Sequence, residues 1–313
     1  MPEAILPAVR ALHVAMCMSL FGALLFRVAI APPALAGAPA GAPRVERRLA
    51  RLATGSLAAA LATWLAWLWF QTAAMSGAEG AEAVAAAVPV VLGQTVFGQV
   101  SAVRLGLLVA AGCCLWLGRV GDNRAVCAWL GAGLSGASLL LVAGLGHAVA
   151  HEGPWHTAFL FGMALHVLAA GAWLGSLVPL AFCLALLPAP RAGLAAQRFS
   201  PLGMACVAAL IVTAWFNGWI LIGSVPALLG TAYGRLALAK LALLLAMLGF
   251  AAANRFVFTP ALGGPRGPTA AGRMRLSVLL EAAAGLAIVF LAGMLVMTPP
   301  AAHGGPEAPA HVH

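Results

Sequence analysis

Charge is what this sequence has least of. Of 313 residues only 8% are Asp, Glu, Lys or Arg, and there is one lysine (Lys240), one aspartate (Asp122) and one tyrosine (Tyr233). A water-soluble globule carries about 25% charged residues, so this chain is not one. Lys240 is followed by Leu241 and closes no G-x-x-x-x-G-K-[ST] phosphate loop, so any transport runs without an ATP motor in this chain. The lone aspartate leaves no Ser/His/Asp order. His151-Glu152 opens an H-E-x-x-H pattern, but Trp155 stands where its second histidine would be, and no enzyme is expected. Cys17, Cys113, Cys114, Cys127, Cys183 and Cys206 form no C-x-x-C pair and fall in or at the ends of apolar segments, which speaks against a disulfide framework. The net charge of +9 would suggest a nucleic-acid surface on a soluble protein, but here it sits in loops, and no nucleic-acid partner is expected.

What fills the chain is apolar. AVILMFWYC residues make up 63% and mean hydropathy is +1.01; uncharged runs such as 52–78 and 157–190 exceed the ~20 residues that cross a hydrocarbon core. The expectation is an all-α polytopic membrane protein, a bundle of eight transmembrane helices over 6–27, 52–75, 98–118, 125–147, 157–183, 200–222, 234–254 and 276–298. Residues 1–298 then form the membrane domain and 299–313 a flexible tail. Residues 83–97, with Pro89, Gly93, Gln94 and Thr95, suit an outer-surface or re-entrant element better than a ninth span. Thirteen arginines, including the cluster Arg44, Arg47, Arg48 and Arg51, fall on one side of these spans, against Arg10, Arg104, Arg235 and Lys240 on the other. The positive-inside rule then puts both termini outside, which for a bacterial inner membrane is the periplasm. Ala34-Leu35-Ala36 has the form of a signal cleavage site, but cleavage there would leave the arginine cluster on the translocated side, so the first segment is read as a span.

On that topology every histidine maps to the outer half or outer face. His13 and His166 lie at a shared depth within the first and fifth helices, which would allow a shared ligand. His147 and His151 sit at the mouth of the fourth helix, and His303, His311 and His313 in the tail. His13, Met16 and Cys17 are spaced i, i+3, i+4, Met163 and His166 i, i+3, and His147 and His151 i, i+4, so each set shares a helical face. Imidazole with thiolate and thioether sulfur is a donor set that best fits copper, as Cu(I) or Cu(II). The candidate ligands are therefore His13, Met16, Cys17, His147, His151, Met163, His166 and His303. A b-type haem held between helices by His13, His147 or His166 is an open alternative. Arg104 and Arg235 are close enough to the outer interface to snorkel. Glu281 lies near the inner end, where Arg255 or Arg273 could neutralise it. Gly171 and Gly175 form a G-x-x-x-G suited to close helix packing.

Several spaced motifs resemble one family. Gly146-His147-Ala148, the run from His166 through Trp173 to Leu177, Arg198-Phe-Ser200, Thr231-Ala-Tyr233-Gly-Arg235 with Lys240, Asn254-Arg255 and Pro299-Pro-Ala-Ala-His303 are similar, in order, to the CopD/PcoD copper-resistance inner-membrane proteins. The resemblance is clearest over 144–303 and looser in the first half, through His13 with Phe21-Gly22 and Gln94-Thr95-Val-Phe-Gly98 before Arg104. It implies eight helices in the bilayer and a copper permease moving copper from periplasm to cytoplasm. It also implies a separate periplasmic CopC-like copper-binding partner and ligand roles for His147, His166 and, more weakly, His13. Ser176 stands where the family pattern has a second glycine, and His151, His311 and His313 lie outside that pattern.

Overall fold

The computed structural model describes residues 2–121, 123–145 and 154–299, and among them there are helices and no strands. Eight helices are long and apolar enough to cross a membrane: α1 (Ile5–Leu35), α2 (Ala42–Ser76), α4 (Val96–Val120), α5 (Arg124–Leu145), α6 (His156–Leu186), α7 (Ala189–Leu221), α9 (Ala232–Ala261) and α10 (Gly267–Met297). Two shorter helices precede spans, α3 (Ala81–Gln94) before α4 and α8 (Val225–Gly230) before α9. The expected eight spans are all present. The 83–97 stretch is mostly the 14-residue helix α3, about 21 Å long and too short for a ~30 Å core.

Helices run further than hydropathy indicated, and by far the most at the arginine-rich end. The second span starts at Ala42 rather than 52, the sixth at Ala189 rather than 200 and the eighth at Gly267 rather than 276. Arginine is a good helix former but is expelled from hydrocarbon. These turns therefore continue the backbone pattern beyond the lipid, and the 35-residue α2 reaches about 52 Å. The reversal between α1 and α2 uses a residue free to take positive φ. Gly41 (φ +90°) caps α2 where a Cβ would lie 1.9 Å from the Leu186 carbonyl oxygen, so no other residue fits.

The centre of the bundle is α1 against α6. Their apolar windows are 61% and 67% buried, against 39% or less for every other span. The two run parallel and cross at glycine: a Cβ on Gly22 would lie 2.2 Å from the Gly175 carbonyl carbon, and one on Gly175 2.0 Å from the Met18 carbonyl oxygen. Gly171 faces Phe21, Met18 and Leu139 nearby, so the G-x-x-x-G is a packing surface as expected. The remaining spans wrap this pair and leave large apolar side chains such as Trp116, Val212 and Trp215 outermost, as a lipid-facing surface requires.

Candidate functional site

His13 is fully buried on α1 and faces α2 and α4. Its Nδ1 lies 3.0 Å from the Ala60 carbonyl oxygen and 3.2 Å from Thr63 Oγ. A carbonyl only accepts, so Nδ1 carries the proton and donates. The Thr63 hydroxyl donates to the Ala59 carbonyl oxygen at 2.7 Å, leaving its oxygen free to accept as well. The lone pair on Nε2 then accepts from Arg104 Nη2 at 3.0 Å. Cys17 Sγ, one turn along, lies 3.6 Å from the same Nε2 and 4.0 Å from Arg104 Nη2.

Arg104 is the residue that sequence reasoning underrated. It does not snorkel: it is 0% exposed, its Nε donates to the Ser138 carbonyl oxygen at 3.0 Å, and its carbon centre lies 5.5 Å from the Trp67 ring. None of these partners is acidic, and Nη1 is buried without a hydrogen bond among the described residues. An arginine at the centre of a spanning helix costs about 2.5–3.5 kcal/mol, so a protein that retains one has built surroundings suited to a cation: an imidazole lone pair, a carbonyl, a thiol sulfur and an indole face. The signal that could have found it was an arginine nine residues into an apolar helix, on a face with Ser101 and Leu108, both buried.

His166 shows the same local chemistry with a different outcome. Its Nδ1 lies 2.8 Å from Thr213 Oγ on α7, and the Thr213 hydroxyl donates to the Ala209 carbonyl oxygen at 2.7 Å, so Nδ1–H is again the donor. Nε2 has no hydrogen-bond partner among the described residues, so its lone pair is unengaged there. Met163, one turn away, has its sulfur 3.9 Å from Asn217 Nδ2.

His13 and His166 each precede the Gly22–Gly175 crossing by nine residues, about 14 Å, and His13 opens toward α2 and α4 while His166 opens toward α7. Of the other candidates, Cys17 joins His13, Met16 is half-buried against the core, and His147, His151 and His303 lie outside the described residues. Among the described residues no three His, Cys, Asp or Glu side chains converge. His13 and His166 do not bracket a haem plane either, because the His13 nitrogens are both engaged and His166 faces another seam. Glu281 also departs from expectation. It is 1% exposed and accepts from Asn254 Nδ2 at 3.0 Å, while Arg255 donates to Ser200 Oγ and Arg273 is exposed. The carboxyl is thus held by an amide and not by an arginine.

Comparison with known proteins shows the family of the chain. The family model described as "Copper resistance protein D-like, N-terminal domain" matches residues 1–157, and that described as "Copper resistance protein D" matches 193–295. The chain belongs to the copper resistance protein D family. Its first half, where the motifs are looser, is matched from the first residue through the whole of α5. The chain is 32% identical over 188 residues to "Copper resistance protein D" of Pseudomonas syringae pv. tomato, covering 55% of this chain and 59% of that protein. It is 35% identical over 130 residues to "Inner membrane protein YebZ" of Escherichia coli (strain K12), covering 41% of this chain and 44% of that one. The chain thus matches about half the length of these curated relatives, and no solved structure matches it. Family membership and eight spanning-length helices make it a multi-pass protein of the inner membrane with a role tied to copper.

Proposed function

We propose that this protein is a copper permease that carries copper from the periplasmic to the cytoplasmic side, with both termini periplasmic and its donor sites in the outer half of the bundle. The observation that carries this reading is the convergence of an imidazole nitrogen and a thiol sulfur, 3.6 Å apart, on a buried face that already stabilises a positive charge without a carboxylate. Nitrogen plus soft sulfur selects copper over hard cations. His166 supplies a second imidazole at the same depth with an unengaged Nε2, and Met163 lies one turn away. On this reading His147 and His151 receive the ion at the mouth, and the tail with His303 captures it at low concentration. A separate periplasmic CopC-like protein delivers it.

The test is copper uptake into proteoliposomes holding the purified protein. Wild type should accumulate copper, and His13→Ala and His166→Ala should each lower the rate at least tenfold with the fold retained. Uptake unchanged in both variants would overturn the assignment of these sites, and no uptake by wild type would overturn the permease reading itself.

A further inference from the structure

The two histidine environments match position by position. His13 of α1 and His166 of α6 each donate Nδ1–H to a threonine of the following helix, Thr63 and Thr213, whose hydroxyl donates to the carbonyl four residues back. Nine residues after each histidine comes a crossing glycine, Gly22 and Gly175, and these two pack on each other. The match continues into α4 and α9. Thr95-Val-Phe-Gly98 and Thr231-Ala-Tyr-Gly234 both start a span, with the threonine oxygen accepting from the glycine N–H at 2.9 and 3.0 Å. Each glycine sits where a Cβ would lie 2.0 Å from a carbonyl of the short helix before it, Val91 in α3 and Leu228 in α8. Nine residues after each threonine stands a basic residue, Arg104 and Lys240. Arg104 hydrogen-bonds the histidine of its own half at 3.0 Å, and Lys240 holds the equivalent position on α9.

Five matched features in the same order mark α1–α5 and α6–α10 as two copies of one four-span unit. Four spans per copy bring the second back in the same orientation, the parallel arrangement in which two halves are related by an axis along the membrane normal. Equivalent residues meet on such an axis, as they do across a two-fold interface, and Gly22 against Gly175 is that meeting. The shorter α8, six residues against fourteen in α3, leaves the matched residues in register.

We propose that Arg104 and Lys240 are equivalent tethered cations, each competing with the transported ion for the Nε2 of its own histidine and so setting the selectivity of the two sites. The inference rests on the copper reading above. In the first copy the guanidinium occupies the lone pair; in the second no hydrogen bond joins the ammonium to the imidazole, and the lone pair has no partner among the described residues. The copies thus show the blocked and the open form of one device. An arriving ion has to replace a hydrogen bond and overcome the repulsion of a fixed charge in a low-dielectric interior. A soft metal that bonds imidazole and thiolate strongly does so, and a hard alkali or alkaline-earth cation does not.

The test is a Cu(I) titration of purified protein against a chromogenic Cu(I) chelator, with one site removed at a time. In a His166→Ala background, Arg104→Met should tighten binding at His13 at least tenfold, while Arg104→Lys, which keeps the charge, should stay near the parent. In a His13→Ala background, Lys240→Met should tighten binding at His166 severalfold, less because the ammonium makes no bond to it. Unchanged or weaker binding in both methionine variants, with thermal unfolding as in the parent, would overturn the proposal. If Arg104→Met does not fold, Lys240→Met decides, since Lys240 is half-buried and holds no hydrogen bond shown among the described residues. Binding by wild type without any gain in the variants defeats this inference alone; no Cu(I) binding by any form defeats the copper reading with it.

Discussion

At the residue scale, the two histidines differ in how firmly their tautomers are fixed. His166 Nδ1–H has one acceptor, Thr213 Oγ, whereas His13 Nδ1–H has the Ala60 carbonyl as well as Thr63 Oγ. Groups that orient a ligating imidazole are worth about 10–100-fold in metal affinity. Thr213→Val should therefore weaken Cu(I) binding about tenfold at His166, and Thr63→Val should cost much less at His13, where a backbone acceptor remains. Chelator competition on the two single variants checks this, and equal effects would mean that the hydroxyls do not orient the rings. Cys17→Ser removes the soft donor and keeps a hydroxyl of similar size. It should lower Cu(I) affinity at the His13 site and leave Cu(II) binding less affected. Spacing made the His13, Met16 and Cys17 face legible in the sequence. What faces it was not, because Arg104 is 91 residues away and meets His13 only across a helix interface.

At the element scale, the α1–α6 crossing is the feature most sensitive to a single methyl group. Gly175→Ala would put a Cβ 2.0 Å from a backbone carbonyl that cannot rotate away, forcing the central helices apart. Overpacking of this kind costs about 1–3 kcal/mol, so the detergent-solubilised protein should unfold several degrees lower. Gly249→Ala on α9, which meets nothing within 4 Å, is the control and should be neutral or slightly stabilising, as alanine favours helix. A Gly175→Ala protein as stable as wild type would show that the helices part at no cost. Gly171 falls between these cases, since its added Cβ would meet the flexible end of Leu139 at 2.7 Å. The sequence displayed the G-x-x-x-G on α6, but its partner, Gly22, belongs to no G-x-x-x-G on α1. Helix ends were misjudged for a related reason. Hydropathy reports where lipid begins, and the backbone pattern continues past that boundary wherever the next residues, such as Arg44 to Arg51, are themselves good helix formers.

At the scale of the whole molecule, thirteen of the seventeen basic residues lie on one side of the eight spans, which predicts the orientation. A reporter active only in the cytoplasm should work when fused near Arg191 and fail at His313. Activity at His313 would invert the bundle and place every candidate donor on the cytoplasmic half. The sequence by itself determined the solvent, the number of spans and the family motifs, because hydropathy, charge placement and motif order are properties of the chain read along its length. It also displayed His13 and His166 at one depth, since depth follows from counting residues into a helix. Only the tertiary structure decided that these histidines face different seams, that Arg104 is buried against His13 and that Glu281 is bound by Asn254. Those facts depend on which face each helix turns to its neighbours, and in helices apolar all round no amphipathic stripe marks that face. Helix rotation is instead fixed by close contacts at a few small residues, Gly22 on Gly175 foremost, whose pairing is written in three dimensions and not along the chain.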